Sequence, residues 1–181
     1  APEKIAYTGG CELKHSSVKV AKPRVLIPVF PGTNCEYDMA NAFNTYGGDS
    51  DIFVIRNLSA KDMEDSVNEF AKHIQNSQMI AIPGGFSGGD EPEGSAKFIN
   101  AFFRNPKIKD AVEEMLYTRD GLMIGICNGF QALIKLGLVP FGRIVPLTAE
   151  SPTLTYNTIG RHQSQLTLTR ICTNKSPWLS C

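Results

Sequence analysis

The sequence predicts an α/β fold, a mainly parallel central sheet with helices on both faces, on three observations. Short, continuous apolar runs recur at 24–30, 51–55, 78–82 and 122–126, as strands buried on both faces require. Between them apolar residues repeat at helical spacing, and strands joined by crossover helices pair in parallel. Loops rich in Gly and Pro follow the first and third runs, at the carboxyl ends where such sheets hold their ligands. With 181 residues, 42% of them apolar, the chain is long enough for one such core.

In order along the chain, residues 1–23 lack apolar periodicity and end at Pro23, which reads as an exposed linker, so the domain proper is 24–181. Arg24 to Phe30 is a strand leading into Pro31-Gly32-Thr33-Asn34. Asn34 is placed to cap a helix over 35–47 that aligns Met39, Phe43 and Tyr46 and stops at Gly47-Gly48. Asp51 to Ile55 is the second strand. Ser59 opens a helix carrying Met63, Val67, Phe70, Ala71 and Ile74 on one side. Gln78 to Ile82 is the third strand, followed by a glycine-rich loop, Pro83 to Asp90. Helical patterns at 94–104 and 106–117 lead to the fourth strand, Leu122 to Ile126, which runs directly into Cys127. Beyond Gly137 the chain is rich in Pro, Thr, Val and Ile, and Gln165 to Thr169 alternates as a half-buried strand should.

Composition narrows the partners. Eighteen basic and eighteen acidic residues cancel and are dispersed, which argues against nucleic acid or an anionic membrane as a partner. No apolar run approaches the roughly 20 residues of a membrane span, and no signal core opens the chain, so a soluble cytoplasmic protein is expected. Five cysteines, odd in number and without a CxxC pair, argue against a disulfide scaffold or a metal site. The chain opens on Ala1 and stops at Cys181, just after Pro177-Trp178-Leu179, and both ends are expected to be cut from something longer.

Gly125-Ile126-Cys127-Asn128-Gly129 has the GxCxG form of a nucleophile elbow, the cysteine counterpart of GxSxG. The turn is tight, so small neighbours are needed on both sides of the nucleophile. At a helix start the unpaired amides and the helix dipole favour negative charge, and the Asn128 amide is placed to meet an oxyanion beside the sulfur. Gln131, one helical turn on, leans back toward the same spot. The competing interpretation is a packed strand-helix corner around an inert buried thiol. Gly84-Gly85-Phe86 offers the second half of an oxyanion hole, because glycine lets backbone approach a ligand closely. It is neither GxGxxG nor a Walker loop, which disfavours a phosphate site. Ser87 and Asp90 read as turn and cap residues.

Together PVFPGTNCEYD, IPGGFSGGD and GICNGFQALIKLGLVP make the chain resemble the triad-type (class I) glutamine amidotransferases, and closely the glutaminase portion of formylglycinamidine ribonucleotide synthetase of purine biosynthesis. The resemblance runs from about Pro23 to the end and includes SPTL at 151–154 and GRHQ at 160–163. It implies a flavodoxin-like glutaminase fold. It also implies hydrolysis of glutamine to glutamate and ammonia through a cysteine thioester, with ammonia passed to a synthetase domain or subunit. Carried over, Cys127 is the catalytic nucleophile, Gly85 and Asn128 supply oxyanion amides, and Gln131 and Phe86 border the glutamine pocket. No cofactor or metal is implied in this domain; ATP and Mg belong to the partner synthetase. Residues 1–23 resemble the linker to that body.

The resemblance has a gap. The family's base is the histidine of a late His-x-Glu pair, and the sequence shows no such pair before Cys181. Of three histidines, His15 falls in the arm, His73 lies off the apolar face of its helix and reads as solvated, and His162 matches a different family position. Glu150 is the sole acidic residue after Cys127. The fold is therefore expected to lack its C-terminal part, and the chain alone to be inactive. Two other readings stand beside glutamine hydrolysis: a DJ-1/PfpI-like cysteine-elbow hydrolase, and an inactive docking fragment. A valine at Gly85 is expected to block the oxyanion while leaving folding largely intact.

Overall fold

The computed structural model of the protein describes residues 15–87, 95–154, 157–173 and 176–179. Strand β1 (Arg24–Val29) shows why the sheet has two buried faces. Leu26 points into one apolar cluster, and Val25 and Ile27 point into another, all three fully buried. A strand apolar on both faces belongs in the sheet's interior, and β1 pairs in parallel with β3 (Asp49–Val54) on one side and β4 (Met79–Ile82) on the other. β4 in turn pairs in parallel with β6 (Leu122–Gly125), giving the order β3-β1-β4-β6. Counted as the chain meets them, these strands run 2-1-3-4, the first four of the flavodoxin-like order.

Helices cover both faces, as the sequence predicts. α1 (Glu36–Thr45) lays Ala40, Met39 and Phe43 over Val25 and Ile27. The opposite face carries α2 (Ala60–Gln75), α3 (Lys97–Phe103), α4 (Pro106–Tyr117) and α5 (Asn128–Leu136). Aromatic rings in this layer meet edge-on: Phe30, just past β1, lies 5.4 Å from Phe102, and Phe70 lies 5.8 Å from Phe103. Fully burying a side chain of that size contributes about 1.5–3 kcal/mol. Helix starts follow local chemistry: the Ser59 hydroxyl accepts the Asp62 amide, and Asn105 accepts the Lys107 amide, with Pro106 in the first turn. A short α6 (Leu138–Phe141) and a 3-10 turn (Pro177–Leu179) complete the described elements.

Three expectations need correction. Asn34 does not cap α1; it belongs to β2 (Thr33–Asn34), which pairs antiparallel with β5 (Gly84–Gly85), and Cys35 takes the cap position in the left-handed region at φ 70°. Tyr46 lies beyond the last helical turn and is 92% exposed. Gln165 to Thr169 forms no strand: Leu166 and Leu168 are fully exposed, because alternation selects a face and pairing needs an edge to meet it.

The first 14 residues of the expected linker lie outside the described residues. The stretch that follows them is exposed but clipped. Asp120 accepts the Ser17 amide at 2.7 Å and the Ser17 and Ser16 hydroxyls at 3.1 Å each. Those bonds, the Ser17 amide first, hold the Asp120 carboxyl below the usual carboxylate range. A lowered folded-state value means that the clip is fully stabilising above the ordinary aspartate pKa of about 4 and is lost as pH falls through the lowered value. The Ser17 amide resonance is therefore expected to titrate below about pH 4. Asp120→Asn should remove that titration, and its persistence in the variant would assign it to another group.

Candidate active site

The loops after β1, β4 and β6 meet at the carboxyl end of the sheet. β6 delivers Cys127 into a turn at φ 54° and ψ −109°, a backbone region that costs a non-glycine residue of order 1–3 kcal/mol. Surrounding bonds hold it there. The Ile126 amide donates to Ile82 at 3.0 Å, Gly129 to Ile126 at 2.9 Å, and Gln131 to the Cys127 carbonyl at 3.0 Å. Cys127 is exposed, so the strained turn presents the sulfur rather than burying it. An inert packed corner would do the reverse.

β5 lies directly beside the thiol. A methyl group at Gly84 would sit 3.2 Å from Cys127 Cβ and 4.0 Å from Sγ. Register then brings in the first loop, since Asn34 opposes Gly84 and Thr33 opposes Gly85. The Phe86 amide ties the same pair of strands by donating to Gly32 at 3.0 Å, and the Phe86 ring is 85% exposed. Gly85 and Phe86 on the glycine loop after β4, and Cys127, Asn128 and Gln131 at the start of α5, all singled out on sequence alone, therefore fall at one end of the sheet.

The structure adds a bond that the sequence did not show. Ser87, read on sequence as a turn or cap residue, is 3% exposed, and its hydroxyl donates to Asn128 Oδ1 at 2.8 Å. Asn128, equally buried, donates through Nδ2 to Gln131 Oε1 at 3.2 Å. Nothing in a local pattern signals a bond across 41 residues of chain. Asp90, read with Ser87 as a turn residue, lies outside the described residues.

The histidines are elsewhere. His73 is not simply solvated: it is half-buried over β3, with Nδ1 2.6 Å from Asp51 Oδ2 and its ring edge-on to Phe53. His162 is exposed in a segment without helix or strand, and His15 is exposed in the arm. Among the described residues, none is hydrogen-bonded to the Cys127 sulfur, and no cluster of His, Cys, Asp or Glu could hold a metal ion. A surface cavity of about 620 Å³ lies under the arm at the amino ends of β4 and β6, against Lys19, Gln78 and Arg119, at the end of the sheet opposite Cys127. Exposure and backbone geometry, rather than cavity size, mark the site at Cys127.

Gly85 cannot serve as a neutral position for a bulky test substitution. Its φ is 110°, and an added Cβ would lie 2.5 Å from the Gly32 carbonyl oxygen and 2.6 Å from the Asn34 nitrogen. Gly85→Val would push β2 and β5 apart, so the expectation of intact folding is overturned.

Residues 22–181 match the model of the CobB/CobQ-like glutamine amidotransferase domain. The chain is 32% identical over 163 residues to a protein of Dehalococcoides mccartyi named phosphoribosylformylglycinamidine synthase subunit PurQ, covering 90% of this chain and 56% of that one. The protein of that name from Treponema denticola is 33% identical, over 81% of this chain and 53% of its own, and that from Aquifex aeolicus 37% identical, over 65% and 43%. The chain thus spans about half the length of the curated relatives it matches. Among solved structures, that of PurLQS from Thermotoga maritima shares 28% identity at a TM-score of 0.44, over 65% of this chain and 45% of that one, a likeness too slight to bear on the fold. On the match over nearly all of its length, with an exposed cysteine elbow at the carboxyl end of a parallel sheet, the chain belongs to the CobB/CobQ-like glutamine amidotransferase domain family.

Proposed function

We propose that this chain is the part of a glutaminase that carries the nucleophile, and that its ammonia serves formylglycinamidine ribonucleotide synthesis in purine biosynthesis. Cys127 attacks the side-chain carbonyl carbon of glutamine; the amides of Gly85 and Asn128 receive the oxyanion. The C–N bond then breaks, ammonia leaves with a proton from a positioned base, and a thioester remains. Water attacks the thioester, the C–S bond breaks, and glutamate departs as the thiol is restored. Gln131 and Phe86 border the substrate. ATP and Mg act in the partner synthetase, to which the ammonia passes. The names of the relatives support that partner, and no step on this chain requires a cofactor.

The observation that carries the reading is the strained, exposed Cys127 at the start of α5, against β5. It is tested with a diazo-ketone norleucine that mimics glutamine, because a pocket that aligns the analogue gains rate through proximity. Peptide mapping is expected to find Cys127 modified first. Equal modification of the exposed Cys35 and Cys172 would show that the elbow has no glutamine pocket, and would return the chain to the DJ-1/PfpI-like or docking-fragment readings.

A further inference from the structure

We infer that Ser87 and Asn128 are positioning residues that set which end of the Gln131 carboxamide faces the substrate. The inference rests on the glutaminase reading and deepens it by stating how the pocket recognises its ligand. Ser87 and Asn128 are each 3% exposed, and buried polar groups must be matched donor to acceptor. The Ser87 hydroxyl donates to Asn128 Oδ1 at 2.8 Å, which leaves the Asn128 amide nitrogen facing away from Ser87. Its Nδ2 then points to Gln131 and donates to Oε1 at 3.2 Å.

With Oε1 taken, Gln131 has its amide nitrogen and two N–H groups left to offer. Gln131 sits one turn from Cys127 along α5, its own amide bonded to the Cys127 carbonyl, and side chains on a helix lean toward the N-terminus. The free end is therefore a donor at the mouth of the elbow. It selects an oxygen acceptor on the ligand, a carboxylate or an amide carbonyl, and disfavours an ammonium or amide nitrogen there. Because Ser87 follows β5 and Asn128 opens α5, the same bonds lock the glycine loop to the nucleophile's helix.

The test compares two electrophiles on the intact chain. A diazo-ketone norleucine reports glutamine-like recognition at Cys127, and iodoacetamide reports bare thiol access. Wild type is expected to favour the first, and the ratio of the two rates is the readout. Ser87→Ala should lower that ratio about tenfold, the worth of one positioning hydrogen bond, with the iodoacetamide rate unchanged. Ser87→Thr, which keeps the hydroxyl, should restore it to within about twofold. Gln131→Glu, which turns an acceptor toward the ligand, should lower it at least as far as Ser87→Ala. An unchanged ratio in Ser87→Ala or in Gln131→Glu would overturn the inference while leaving the glutaminase reading standing. A fall in both rates for Ser87→Ala would also overturn it, by showing that Ser87 only holds the loop. A wild-type chain with no preference would sink the glutaminase reading, and the inference with it.

Discussion

Glutamate release by residues 1–181 alone is expected to be about 10²- to 10⁴-fold slower than release by the same residues extended with a C-terminal segment carrying the family's His-x-Glu pair, because that is the usual worth of a positioned base. Forming the thioester requires a proton for the departing ammonia, and no described residue is hydrogen-bonded to the Cys127 sulfur. His73 is engaged by Asp51, and His162 is exposed without a helix or strand to place it. A helix start can favour charge at the sulfur but cannot deliver that proton. Release is measured for both chains and for a His162→Ala version of each. Similar rates for the two chains, abolished by His162→Ala, would make His162 the working base and remove this account.

Gly129→Ala is expected to destabilise the protein by about 3 kcal/mol or more, at the upper end of the cost of overpacking. An added Cβ would lie 2.2 Å from the Ile82 carbonyl oxygen and 2.9 Å from that of Pro83, both backbone atoms with no side chain to yield. Gly125 meets the same constraint from the other side, with its Cβ position 2.4 Å from the Gly129 oxygen. The two glycines of GxCxG thus let β6, α5 and the end of β4 touch backbone to backbone, and that contact holds Cys127 in its strained turn. Gly47→Ala makes a useful control, since nothing lies within 4 Å and only the left-handed φ of 89° opposes it, about 1–2 kcal/mol. Urea midpoints check the order, and Cys127 alkylation reports whether the elbow survives. A Gly129→Ala protein as stable as wild type would mean that the corner is looser than its geometry shows.

By itself the sequence determined the four parallel strands and the helices between them, and it singled out the elbow at Cys127. Each of these is specified within a few residues: continuous apolar runs mark doubly buried strands, Ser59 caps α2 where its hydroxyl can reach the Asp62 amide, and Gly125 and Gly129 flank Cys127 because no larger residue fits. Helix α6 was missed for a matching reason, being a single turn too short to show a period. Tertiary structure decided the rest. Asn34 has the chemistry of a cap, yet it pairs with Gly84, some fifty residues away in sequence, because the open edge of the glycine loop satisfies its backbone. Gln165 to Thr169 has the alternation of a strand and forms none, since no edge is paired with it. His73 looked solvated until β3 placed Asp51 and Phe53 against it. Ser87 is the sharpest case: on its own loop it is one more small polar residue, and only when the sheet brings β5 beside α5 does its hydroxyl find Asn128. Local patterns fix which face of an element is buried, whereas a hydrogen bond between distant loops depends on the register and packing of every element between them.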